Sequence, residues 1–84
     1  MNRITIKYFA SIREALGQGA ETIHTTSATI AILRAELMAR GGVYSDVLSA
    51  HKSVRVAVNQ TMAEESTPLA DGAEVAFFPP VTGG

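Results

Sequence analysis

Alternating apolar residues mark both ends of this chain, and a single amphipathic helical stretch lies between them, which leaves few folds open to it. Near the N-terminus Ile4, Ile6 and Tyr8 alternate with Thr5, Lys7 and Phe9, so residues 3–9 read as a strand with one aliphatic face. Residues 74–78, Glu74-Val75-Ala76-Phe77-Phe78, read as another strand, approached through the turn residues Pro68-Leu69 and Asp71-Gly72. Thr29 reads as an N-cap, after which Ile30, Leu33, Leu37 and Met38 recur at helical spacing until Gly41-Gly42 ends the pattern. Eighty-four residues hold one domain that buries only about 60–65% of its unfolded surface. These stripes must therefore supply most of the core.

The remaining segments fit around that frame. Ser11 followed by Glu14 matches a capping box and Gly17 supplies a stop, so Ile12 to Leu16 is expected to be a short helix. Glu21 to Thr25 reads as a strand. Residues 43–53 carry Tyr44, Val47 and Leu48 without a clear period, and a loop with one helical turn is expected. Val54, Val56 and Val58 alternate with Arg55 and Ala57, giving a strand that turns at Asn59-Gln60-Thr61 toward a short partner around Met62. Strands, a helix and strands again in so short a chain imply an α+β fold, one mixed sheet packed on one main helix, with the first and last strands adjacent at its centre. That architecture is the ubiquitin-like β-grasp. The expected boundaries are a β-grasp domain over 1–78 and an extended C-terminal tail over 79–84.

Composition narrows function. Hydrophobic residues are 46% and charged residues 18%, as in a globular chain, and the net charge is −1 with no basic run, so no nucleic-acid partner is expected. With no cysteine there is no disulfide, no thiolate metal ligand and no side-chain persulfide. The first ten residues alternate instead of forming a signal-peptide core, and no apolar run is long enough for a bilayer. A cytoplasmic location without membrane association is the expectation.

The end of the chain carries the strongest chemical signal. An apolar strand runs into Pro79-Pro80-Val81-Thr82-Gly83-Gly84 and a carboxylate with no side chain beside it. The prolines fix φ and withhold N–H donors, which ends the ladder and favours an extended exit. Glycine threads a narrow channel and lets a nucleophile reach the carbonyl carbon. From Pro79 the tail spans about 20 Å at full extension. A carboxylate is a poor electrophile, so replacing one of its oxygens requires activation, usually as an acyl adenylate made with ATP by another protein. Any sulfur carried by a cysteine-free chain would sit here.

Residues 71–84, Asp71-Gly72-Ala73-Glu74-Val75-Ala76-Phe77-Phe78-Pro79-Pro80-Val81-Thr82-Gly83-Gly84, together with Ala57-Val58-Asn59-Gln60, Tyr8-Phe9-Ala10 and Arg13-Glu14, resemble the small sulfur-carrying subunits of molybdopterin synthase, a ubiquitin-like family. The resemblance implies that an ATP-dependent, ubiquitin-activating-like adenylyltransferase adenylates Gly84 and that a sulfur donor system converts the adenylate to a thiocarboxylate. It implies that the loaded tail, Gly83 included, enters the large synthase subunit and gives sulfur to cyclic pyranopterin monophosphate. It further implies a heterotetramer of two small and two large subunits, and no catalytic group, metal or cofactor on this chain.

Period-two alternation adds a docking surface. Phe77 and Phe78 point to opposite sides of their strand, as do Tyr8 and Phe9. If Val75 and Phe77 share the core with Ile6 and Tyr8, then Phe9 and Phe78 lie outside, where paired aromatics suggest an interface. The resemblance places Phe9, Met62 and Phe78 in the family's hydrophobic contact surface; Arg13, close in sequence to Phe9, is expected to add a polar rim contact, and Pro79, Pro80, Val81 and Thr82 are expected in the part the partner grips.

Other readings stay open at this point. The same chemistry serves carriers for thiamine, cysteine or transfer-RNA thiolation, a ubiquitin-like modifier joins its diglycine to lysines, and a binding module would leave the tail inert. His24 and His51 lack companions at ligand spacing, Glu64-Glu65 reads as a solvated turn, and no G-x-S-x-G or phosphate-binding glycine pattern is present.

Overall fold

Strand β1 (Asn2–Tyr8) reproduces the alternation of its sequence in its burial: Ile4, Ile6 and Tyr8 are enclosed, while Thr5 and Lys7 face the other way. The computed structural model describes residues 1–49 and 54–79. After β1 come α1 (Ala10–Leu16), β2 (Ala20–Thr25), α2 (Ile30–Met38), α3 (Gly42–Val47), β3 (Arg55–Val58), β4 (Thr61–Ala63) and β5 (Glu74–Phe78). The five strands form one sheet in the order β2-β1-β5-β3-β4. Strands β1 and β5 are parallel, with Thr5 beside Glu74 and Tyr8 beside Phe77, and the other neighbouring pairs are antiparallel. A parallel pair cannot be closed by a hairpin, so the chain between β1 and β5 forms the crossover. The first and last strands thus meet inside the sheet, as the sequence implied.

Helix α2 presents Ile30, Leu33 and Leu37 to the same cluster that holds Ile4, Ile6, Val56, Val75 and Phe77. Ile12 of α1 joins it, and Tyr44 and Val47 of α3 pack against its edge. Residues of all three helices pack against this one cluster, so among the described residues no helix lies over the opposite face of the sheet. Tyr8 and Phe77, neighbours in register, stack with ring centroids 6.3 Å apart.

Several local expectations change. Helix α1 begins at Ala10 behind an uncapped Phe9, so Ser11 lies within the first turn and makes no capping box with Glu14; Gly17 still ends the helix at φ 75°. Residues 42–47 form a six-residue helix where a loop with one turn was expected, entered through Gly41 and Gly42, both with positive φ. The remainder of that stretch, 50–53, lies outside the described residues. Thr29 does cap α2, its hydroxyl accepting from the Ile32 N–H at 3.4 Å. The β3–β4 turn is Asn59-Gln60, both with positive φ, as a two-residue type I′ hairpin requires. Glu65 is more than a solvated turn residue, because Arg34 of α2 reaches its carboxylate at 2.5 Å.

Candidate docking face

Strand register decides which side chains share the uncovered face, because directly opposed residues point the same way. Phe77 is buried at 1% exposure, so its neighbour Phe78 faces outward, half-buried. Phe78 lies beside Arg55 of β3, and Ala76 lies beside Ala57, which in turn opposes Met62 of β4. On the other flank Lys7 of β1 stands beside Ala76, and the Phe9 N–H bonds to the Phe77 carbonyl at 3.1 Å just past the end of β1. Phe9 is 45% and Met62 57% exposed, and their gathering with Phe78 on one face is what distinguishes them from singly exposed apolar residues. The two alanines make a low floor, with Phe9 and Phe78 along one margin and Met62 at the end. This apolar strip borders the root of the tail.

Parity points to Phe9 and Phe78 and the family resemblance adds Met62, and strand register brings all three to one surface. The sequence reading missed the floor. Ala57 is only 8% exposed although it belongs to the outer face and to no part of the core cluster; its larger neighbours cover it. Parity of Val54, Val56 and Val58 already placed Ala57 and Arg55 outside, but only the register across three strands shows them side by side. Arg13 sits one helical turn from Phe9, whose carbonyl accepts its N–H at 3.3 Å. Its exposed side chain lies across Gly19, where an added Cβ would come within 3.1 Å of the guanidinium Nε. Pro79 follows Phe78 directly and is half-buried, whereas Pro80, Val81, Thr82, Gly83 and Gly84 lie outside the described residues, as does His51. Among the described residues no three His, Cys, Asp or Glu side chains gather as a metal site would need, and no helix is long and apolar enough to cross a membrane.

A polar network on the helical side anchors this face from behind. The Tyr8 hydroxyl donates to Glu21 at 2.8 Å, and Arg40 clamps the same carboxylate with both terminal nitrogens at 2.9 and 3.0 Å. Arg40 also lies over the Tyr44 ring, 4.9 Å from its centroid. Burial alone would raise the Glu21 carboxyl, but the hydrogen bonds from Arg40 and Tyr8, together with the charge of Arg40, hold it below the usual carboxylate range. Burial and the adjacent carboxylate push the Tyr8 hydroxyl far up, so it remains a neutral donor. Fixing Tyr8 from inside fixes the backbone that turns Phe9 out.

Residues 6–84 match the ThiS family. This chain belongs to that family. Among its relatives, the molybdopterin synthase sulfur carrier subunit of Escherichia coli K12 is 41% identical over 81 residues, covering 96% of this chain and 99% of the relative. Small archaeal modifier protein 1 of Haloferax volcanii superposes with a TM-score of 0.80 at 24% identity, covering 96% of this chain and 100% of that one. Subunits 1 and 2 of the molybdopterin-converting factor of Helicobacter pylori 26695 were solved as a complex, and the match there has a TM-score of 0.68 at 24% identity over 98% of this chain and 99% of that one. These two structural likenesses establish that the ThiS-family chain has the ubiquitin-like β-grasp fold.

Proposed function

We propose that this protein is the sulfur carrier subunit of a molybdopterin synthase, acting in molybdenum cofactor biosynthesis. The observation that carries the reading is the apolar strip of Phe9, Ala57, Met62, Ala76 and Phe78, covered by no helix among the described residues and continuous with the strand that leads toward the diglycine. Its sequence likeness to the Escherichia coli carrier supports the choice of pathway. In this reading the large synthase subunit covers the strip and receives the tail, in a complex of two small and two large subunits, and the cycle runs in the cytoplasm.

The cycle turns on the Gly84 carboxyl group. The Gly84 carboxylate attacks the α-phosphate of ATP on a ubiquitin-activating-like adenylyltransferase, releasing pyrophosphate. A donor of sulfide-level sulfur then displaces AMP at the carbonyl carbon and leaves a thiocarboxylate, whose polarizable sulfur is a better nucleophile than oxygen. That sulfur attacks a carbon of cyclic pyranopterin monophosphate, which gives up an oxygen leaving group, and water cleaves the resulting thioester to return the carboxylate and leave the sulfur on the pterin. This chain contributes the carrier atom, a slender Gly83-Gly84 approach and the docking face; ATP is used by the activating enzyme, and no cofactor is assigned to the carrier.

Intact-protein mass spectrometry in host lysate, with ATP and a sulfur source, tests the reading. The expected result is an ATP-dependent mass gain for one oxygen replaced by sulfur, on the C-terminal peptide, lost on deletion of Gly84. Gly84 found joined to lysines of other proteins, without a thiocarboxylate, would replace the reading with that of a protein modifier.

A further inference from the structure

Resting on the docking face above, we infer that Arg55 is a specificity-determining contact, and that the partner surface covering the strip presents a carboxylate to it. Arg55 stands beside Phe78 at the corner of the strip nearest Met62. Its side chain is exposed and forms no ion pair among the described residues.

Among the described residues Arg3 and Arg13 likewise form no ion pair, but the Arg13 side chain lies across Gly19 and the remaining cationic side chains are neutralised. Lys7, at the opposite corner, is neutralised by Glu74 at 3.1 Å. Arg34 and Arg40 are engaged on the helical side by Glu65 and Glu21. Glu64, the next residue past β4 and the acidic group nearest in register, closes no ion pair with Arg55. A guanidinium left without a counter-charge at the edge of an apolar patch is well placed for a carboxylate, because its planar fork binds one through two parallel hydrogen bonds. A neutral or basic surface pressed over the strip would instead strip water from the cation without compensation. The apolar groups supply adhesion and Arg55 supplies discrimination. Arg3 provides the internal control: it is exposed on the same face but six residues back along β1 from Phe9, about 20 Å away at strand rise.

The experiment is stopped-flow association of the full-length carrier with the large synthase subunit of the same organism, across a series of salt concentrations, with circular dichroism confirming the fold of each variant. Arg55→Glu is expected to lower the association rate about tenfold at low salt and to flatten its salt dependence. Arg55→Lys, which keeps the charge, should stay within about threefold, and so should Arg3→Glu, which changes net charge equally but lies off the strip. Phe78→Ser should act mainly by speeding dissociation. If Arg55→Glu associates like the wild type while Phe78→Ser still weakens the complex, the Arg55 assignment is overturned and the docking face stands. If Arg3→Glu slows association as much as Arg55→Glu, the effect is one of net charge and the assignment also fails. Should Phe78→Ser bind as the wild type does, the docking face itself is wrong.

Discussion

Phe77 and Phe78 are consecutive phenylalanines on opposite faces of one strand, and truncating each to alanine should have very different effects on stability. Phe77 is 1% exposed, lies in the main cluster and stacks on Tyr8. Removing its ring leaves a cavity walled by strand and helix, a change that costs about 3–5 kcal/mol, with the aromatic pair contributing about 0.5–1.5 kcal/mol of that loss. Phe78 is half-buried on a face with no helix above it, so its removal forfeits transfer energy without enclosing a void, about 1–2 kcal/mol. A domain of 84 residues has roughly 4–13 kcal/mol in total. Phe77→Ala therefore removes a large share of the fold's stability and Phe78→Ala a modest one. Urea unfolding followed by circular dichroism resolves the difference: at about 1 kcal/mol per molar of urea, the two midpoints should lie about 1–4 M apart, with Phe77→Ala the lower. Equal midpoints, or a lower one for Phe78→Ala, would refute the assignment of faces and with it the docking strip.

Three further outcomes are expected. Gln60→Gly should stabilise the fold by about 0.5–1 kcal/mol, because φ at Gln60 is 68° and glycine is the preferred second residue of a type I′ hairpin; thermal melting checks it, and a fall in Tm would mean that the Gln60 side chain makes a contact worth more than the strain. Asn59→Ala should cost about 1–2 kcal/mol, since the Asn59 side-chain oxygen accepts the Glu74 N–H at 3.0 Å and its φ of 51° disfavours alanine; faster hydrogen exchange at Glu74 is the readout. Because the folded-state Glu21 carboxyl is held low, the unfolded chain binds the proton more readily, so this group's stabilisation is complete above its unfolded pKa of about 4.3 and is lost as pH falls through the folded value. Glu21→Gln should lower stability at pH 7 and flatten the acid limb of a stability–pH profile, whereas an unchanged acid limb would show that Glu21 does not drive it.

What the sequence disclosed, it disclosed through periodicity. Two-residue alternation placed Tyr8 and Phe77 inside and Phe9 and Phe78 outside before any register was known, because the pleat allows nothing else. The stripe of Ile30, Leu33 and Leu37 likewise had only one use. Where local signals competed with distant ones, the sequence was a poor guide: Ser11 and Glu14 have capping-box spacing, yet Phe9 is held by a bond to Phe77 and the helix starts before Ser11 can cap it. Helix α3 is too short to display a period, and its entry depends on positive φ at Gly41 and Gly42. The burial of Ala57 and the isolation of Arg55 arise from three strands meeting in register, and the clamp of Arg40 on Glu21 joins β2 to the loop that follows α2. None of these is a property of any one segment.

The parallel pairing of β1 with β5 also has a consequence for biosynthesis. A ribosome makes β5 after every other strand, yet β5 belongs between β1 and β3, so until it arrives the nascent chain has a gap in the middle of its sheet and two open edges beside it. Only when that gap is filled does the strip acquire Ala76 and Phe78. Competence to meet a partner is thereby tied to the completion of folding, and a chain damaged or arrested before β5 offers neither half of the docking face in working order.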